Sequence, residues 1–183
     1  MDIDLSVEKW LINLCPDSKL DQYAETFTNE GFDSIKAMTM IEKDDLIQTL
    51  LDIKKEGKVR FIGSSSTLPS LADHVNMGVF DAFQIPYSGL NRKHEKWISN
   101  ALKSGAGTII RGGVSRGENE NPTNQENKGE WENYKKANLD ELLDEGESPT
   151  AFILRFALSH PHLNTTIVGT KNPKHFKQNI NIA

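Results

Sequence analysis

Cysteine is nearly missing from this sequence. Cys15 is the single one among 183 residues, so no internal disulfide can form, and a reducing, cytoplasmic setting is the expectation. Long apolar runs are missing as well: nothing approaches the roughly 20 consecutive apolar residues that span a bilayer. The opening MDIDLSVEKW is acidic and mixed, without the basic start and apolar core of a secretion signal. A membrane is therefore not an expected partner. Basic charge is also scarce where it would matter for nucleic acid. Residues 1–50 carry 4 Lys against 11 Asp+Glu, whereas residues 51–183 carry 17 Lys+Arg against 15 Asp+Glu. Phosphate backbones need a basic face, which excludes the N-terminal part as a nucleic-acid reader. The asymmetry also marks two units of different character.

What is present begins with helical spacing from Val7 to Leu50. Val7, Trp10, Leu11 and Leu14 form one stripe behind Ser6, and Cys15-Pro16-Asp17-Ser18 breaks it. Leu20, Tyr23 and Phe27 form a second, stopped at Gly31. Asp33 or Ser34 caps a third short helix through Ile35 and Met38. Glu42 to Leu50 is the fourth, with Leu46, Ile47 and Leu50 expected inside. After Lys54 strands and helices alternate. Strands are expected at Val59–Ile62, Val79–Ile85, Thr108–Ile110 and Thr165–Val168. Helices are expected at Pro69–Met77, Lys93–Lys103, Trp131–Leu143, from Ser148-Pro149 through Ala157, and after Asn172-Pro173. Residues 114–130 are polar and loop-like. Repeated strand–helix alternation implies parallel strands with crossover helices, and such folds gather function beyond the C-terminal strand ends.

Two family resemblances follow from these blocks. Trp10-Leu11, Leu14, Tyr23, Phe27, Gly31-Phe32-Asp33, Ile41, Asp44-Asp45-Leu46 and Leu50 resemble a sterile alpha motif (SAM) domain over residues 5–53. That resemblance implies a helical bundle used for association with itself or with another SAM-domain protein. In one departure, the family's long fifth helix has no counterpart after Leu50. Lys54 to Gly63, Phe80 to Ser88, Ile109 to Gly113 with Gly117, Ser148 to Ser159, and Ile167 to Pro173 with Asn179 resemble the second half of an aldo-keto reductase barrel. The expected fold is therefore α plus α/β. A SAM-like bundle occupies residues 1–51, and half of a (β/α)8 barrel with four parallel strands occupies residues 52–183.

The second resemblance implies a site for NADP(H). Ser64, Ser65 and Gln84 would border the carboxamide, and Tyr87 would stack on the nicotinamide. Arg111, Gly112 and Gly117 would lie along the pyrophosphate. Gly169, Thr170 and Lys171 precede a helix N-terminus suited to phosphate. Lys171 and Lys174 would hold the 2′-phosphate, and Gln178 with Asn179 the adenine. The family's proton-donating Tyr, with its Lys, Asp and His, comes from the first four strands, and no Tyr here occupies that context. No catalytic residue is assigned for that reason. His160 and His162 read as turn residues rather than metal ligands, and no metal site is expected. Four strands cannot close a barrel, so edges and one sheet face would stay bare and invite pairing with another half-barrel. Three readings stay open: a noncatalytic scaffold that keeps an NADP(H) half-site, an oxidoreductase subunit completed by another chain, and a nonfunctional fusion.

Overall fold

A computed structural model describes residues 22, 24–29, 43–115, 117 and 128–182. The chain divides into two units, Met1–Lys58 and Val59–Ala183. In the first, α1 spans Ala24–Asn29 and α2 spans Lys43–Lys55. The expected helices at residues 7–14 and 33–38 lie outside the described residues, as do Tyr23 and the side chain of Phe27. Asp44 and Asp45 in the first turn of α2, and Lys54 and Lys55 in its last, complement the helix dipole. The helix runs past the expected end at Leu50 because its stop signal is Gly57. With φ at 75°, Gly57 donates to the Lys54 carbonyl, and Lys58 donates to that of Ile53. This left-handed Schellman closure suits a residue without a Cβ. Leu46, expected inside, is 55% exposed. The half-buried stripe is Ile47, Leu50, Leu51 and Lys54 at helical spacing, and Leu46 sits roughly a quarter turn off it.

The second unit is built on a four-stranded sheet in the order β1-β2-β3-β4, parallel throughout. Its strands are β1 (Gly63–Ser65), β2 (Ala82–Pro86), β3 (Gly107–Arg111) and β4 (Thr165–Ile167). Helices α3 (Ser70–Met77) and α4 (Glu95–Lys103) link the first three strands. Helices α5 (Lys128–Lys136) and α6 (Pro149–Leu158) lie between β3 and β4, and α7 (Pro173–Ile182) follows β4.

The strand expected at Val59–Ile62 is displaced to Gly63–Ser65, because Asp81 intercepts the chain before the ladder begins. Ile62 N–H donates to the Asp81 carboxylate at 2.9 Å, and Asp81 N–H donates to Ile62 O at 2.8 Å. Regular pairing then starts at Gly63 opposite Ala82. The helix expected over residues 131–143 is also broken. Asn138, left-handed at φ 51°, separates α5 from a 3-10 turn at Leu139–Leu142. Helix α6 starts where its sequence says: the Ser148 hydroxyl accepts from Ala151 N–H at 3.2 Å, with Pro149 in the first turn.

Alternation along the strands separates two faces of the sheet. Phe83, Ile85, Thr108 and Ile110 are buried, and Leu71, Val75, Ile98, Leu154 and Ala157 from α3, α4 and α6 complete the core. The opposite face carries Ser65, Gln84, Pro86, Ile109, Arg111, Thr165 and Ile167, all exposed or half-buried. Burying one face against helices removes apolar area from water at about 25 cal/mol per Å2. The other face, with Ser65, Arg111, Thr165 and Ile167 exposed, gains much less of that stabilisation.

Candidate functional site

Parallel strands bring their C-terminal ends to one edge of the sheet, and the exposed face there carries three of the expected residues. Ser65 and Gln84 are register partners, and the Ser65 hydroxyl donates to Gln84 Oε1 at 3.1 Å. Gln84 thereby accepts one bond and keeps its amide N–H2 group as donor. Arg111, exposed, pairs in register with Pro86 on the same face. A hydroxyl, a carboxamide and a planar guanidinium thus share one face and suit a neutral amide and a delocalised ring.

Ser64 and Tyr87 stand on the other face. Ser64 Oγ lies 2.8 Å from His74 Nδ1 and 3.3 Å from Ser66 Oγ. Tyr87 is 2% exposed. Its ring packs against Phe156 at 6.4 Å and edge-on to His160 at 5.4 Å. Its hydroxyl donates to Glu95 at 3.3 Å, and Arg92 grips that carboxylate with two bonds of 2.7 Å. Burial, with the Glu95 charge second, pushes the Tyr87 phenol up to about 12. The Arg92 bonds hold the Glu95 carboxyl below its usual range. The ring expected to stack on a nicotinamide is therefore enclosed in the helix layer.

The turn after β3 is tightly determined. Gly112 is left-handed at φ 72°, and a Cβ on Gly113 would come within 2.8 Å of Thr166 Oγ1. Ser115 N–H donates to Gly112 O at 2.9 Å, and Gly117 N–H donates to Val114 O at 2.8 Å. Beyond β4, Gly169, Thr170 and Lys171 are exposed ahead of α7. Two backbone donors at this helix start already have acceptors. Asn172 N–H donates to Thr170 Oγ1 at 3.1 Å, and Lys174 N–H donates to Asn172 Oδ1 at 2.9 Å. An anion there would share the terminus with its own caps. Lys174 and Gln178 are exposed on one face of α7 with half-buried Asn179 beside Gln178, and exposed Lys171 precedes the helix.

Three other histidines serve packing, and His175 on α7 is exposed. His162 Nδ1 is 2.9 Å from Ser99 Oγ, and the His160 ring meets Tyr87. His94 accepts the Leu68 N–H at Nε2, 3.3 Å away. Burial lowers the proton affinity of both His94 and His160. Among the described residues no group of three or more His, Cys, Asp or Glu side chains is placed to hold a metal. The two described tyrosines, Tyr87 and Tyr134, are each 2% exposed, and neither offers its hydroxyl to the open face. Sequence reading missed Asp81, His74, Arg92, Glu95 and His94. It also missed a signal it had: Gln84 and Tyr87 are three apart, as Ser64 and Ser65 are one apart, and odd spacing in a strand means opposite faces.

The donor set on the open face, together with the exposed Lys171 and Lys174 around the start of α7, is of the chemical type that a nicotinamide dinucleotide phosphate needs, with Tyr87 and Ser64 standing outside it. The Aldo/keto reductase family model matches residues 15–183, starting inside the segment that resembles a SAM domain. A curated protein from Bacillus subtilis (strain 168), the uncharacterized oxidoreductase YqkF, is 24% identical over 152 residues, covering 76% of this chain and 50% of that protein. The aldo-keto reductase AKR11C1 from Bacillus halodurans shares the fold. Its holo form matches with a TM-score of 0.63 at 23% identity over 76% of this chain and 49% of its own. The apo form gives 0.64 at 22% over 78% and 52%. The chain spans about half the length of the relatives it matches. Four parallel strands in family order and a family match over most of the sequence lead to one assignment: this chain belongs to the aldo/keto reductase family.

Proposed function

We propose that residues 52–183 are an NADP(H)-holding half-barrel of an oxidoreductase, and that carbonyl reduction depends on groups another chain supplies. The observation that carries this is the Ser65–Gln84 pair, bonded at 3.1 Å on an exposed sheet face that also bears Arg111. Ser65 and Gln84 hold the carboxamide, and the Arg111 guanidinium lies against the flat ring in place of the enclosed Tyr87. Lys171 and Lys174 hold the 2′-phosphate and select NADP(H) over NAD(H). The Gly112 to Gly117 turn and Gly169 to Thr170 border the pyrophosphate, and Gln178 with Asn179 border the adenine. When bound, the dinucleotide supplies the hydride. No described tyrosine stands on this face to supply the matching proton.

Calorimetric titration of the full chain with NADPH and NADH tests the reading. NADPH should bind more tightly, and Q84A should weaken both roughly tenfold through the lost amide bonds. No heat with either nucleotide sinks the proposal.

Association belongs to the same proposal. The segment resembling a SAM domain would gather copies of this chain or recruit another SAM-domain protein, raising the effective concentration of half-barrels. The SAM assignment and the family match compete for residues 15–53. Gel filtration before and after deletion of residues 1–50 separates them, since an unchanged assembly size excludes association through this segment. A second reading, a noncatalytic scaffold that keeps the NADP(H) half-site, is favoured by the burial of both described tyrosines away from the open face. No helix among the described residues is long and apolar enough to cross a membrane, and a cytoplasmic site of action accords with the single cysteine.

A further inference from the structure

The turn after β3 is held by a three-residue clamp with no part in the assignments above. Ser115 has a left-handed backbone, φ 46°, although it carries a Cβ. Such a conformation is unfavourable for L side chains and persists where surroundings determine it from several sides. Here they do. The Ser115 hydroxyl lies 2.7 Å from that of Ser88, and both residues are buried, at 4% and 1% exposure. The Ser115 carbonyl accepts the indole N–H of Trp131 at 3.2 Å. Ser88 is fixed in turn: its hydroxyl accepts the N–H groups of Leu90 at 3.2 Å and Asn91 at 3.0 Å. Trp131 is anchored in a cluster with Tyr134 and Ile153, against which Leu90 and Phe152 pack. On the other side of the turn, Tyr87 N–H donates to Arg111 O at 3.2 Å, and Gly113 seats against Thr166 with no room for a Cβ.

Buried polar bonds of this kind are an expensive way to hold an ordinary loop, since each unmet partner in a dry site is penalised. What they fix is the backbone from Arg111 to Ser115, at the strand end that carries the candidate site. We propose that Ser88 and Trp131 are positioning residues. Acting through Ser115, they set the Arg111–Ser115 backbone in the conformation that faces a dinucleotide phosphate. This rests on the nucleotide reading given above.

The test uses the full chain carrying W131F, which keeps most of the ring volume and removes the N–H donor, and separately S88A. In both, amide hydrogen exchange over residues 111–115 should quicken roughly three- to tenfold, and the NADPH dissociation constant should rise by a similar factor. Exchange in the β2 and β3 core should not move. Unchanged exchange over residues 111–115 in both variants overturns the clamp. Faster exchange with unchanged NADPH affinity overturns its role toward the ligand. If the unsubstituted chain takes up no NADPH, the nucleotide reading fails by itself, and the exchange result still decides the clamp. Should either variant fail to fold, S115G removes the hydroxyl and relieves the left-handed strain together. A turn held by the Ser88 bond then loosens, whereas a turn set by its own backbone slows in exchange, which refutes the clamp.

Discussion

At the scale of single residues, the phenol of Tyr87 separates packing from chemistry. Its proton is held by burial and by the Glu95 carboxylate, which lifts its pKa to about 12 from the ordinary 10.0. Where the folded value lies above the unfolded one, the stabilisation is complete below about 10 and is lost as pH rises from there toward 12. Tyrosinate absorbance of the folded chain should therefore show a component titrating near 12 that Y87F removes. A full set of midpoints near 10 contradicts the burial. Acid acts on other groups. Burial holds His94 and His160 below the ordinary imidazole value of 6.5, and the His94 Nε2 lone pair is occupied by the Leu68 N–H. Arg155 holds the Glu147 carboxyl below its ordinary value through bonds of 2.8 and 2.7 Å. All three folded values are depressed, so their stabilisation is present above the unfolded values and lost as pH falls through the folded ones. Urea midpoints should decline from about pH 6.5 downward through the histidines, with a further loss below the ordinary carboxyl value of 4.5. A midpoint flat between pH 7 and 5 would remove the histidine contribution.

At the scale of elements, local signals stand in the sequence and long-range ones do not. Helix α6 was legible because Ser148 and Pro149 announce its start within four bonded residues. S148A should cost about 1 kcal/mol of stability, measured by urea denaturation, because the Ala151 N–H loses its acceptor. Gly57 was equally local, yet α2 was expected to stop at Leu50 because the change in composition after it masked the glycine cap. Strand β1 was misplaced for a different reason. The apolar run Val59–Ile62 has strand character, and what delays the ladder is a carboxylate 19 residues away, Asp81. The Ser115–Trp131 bond spans 16 residues, and no spacing rule announces it. Family blocks located the four strand ends, but not which way each side chain turns; strand alternation would have placed Tyr87 and Ser64 opposite Gln84. Gly113 shows how sequence and packing meet. An Ala there meets Thr166 Oγ1 at 2.8 Å, so G113A should destabilise by about 1–3 kcal/mol through overpacking. An unchanged urea midpoint would mean β4 yields freely.

At the scale of the whole molecule, the proposed pairing of half-barrels turns on the exposed sheet face. In the unit Val59–Ala183, β1 and β4 are the edge strands of the sheet. Ile167, on the edge strand β4, is 53% exposed on the face that helices do not cover. Bare edges and apolar side chains beside them are what a second sheet can use. Two copies related by a two-fold axis along the strand direction would place β4 of one beside β1 of the other, parallel at both seams, in a closed eight-stranded ring. Ser65, Gln84, Arg111 and Ile167 would then line an interior instead of meeting water. Sedimentation velocity over a hundredfold concentration range should show dimer forming with mass action. I167D, which places a charge on that face without touching the helix-side core, should shift the distribution back to monomer. Dimer that persists in I167D assigns association elsewhere, and deletion of residues 1–50 then decides whether the N-terminal segment carries it. Monomer at every concentration removes self-pairing and leaves a different chain as the partner of this face.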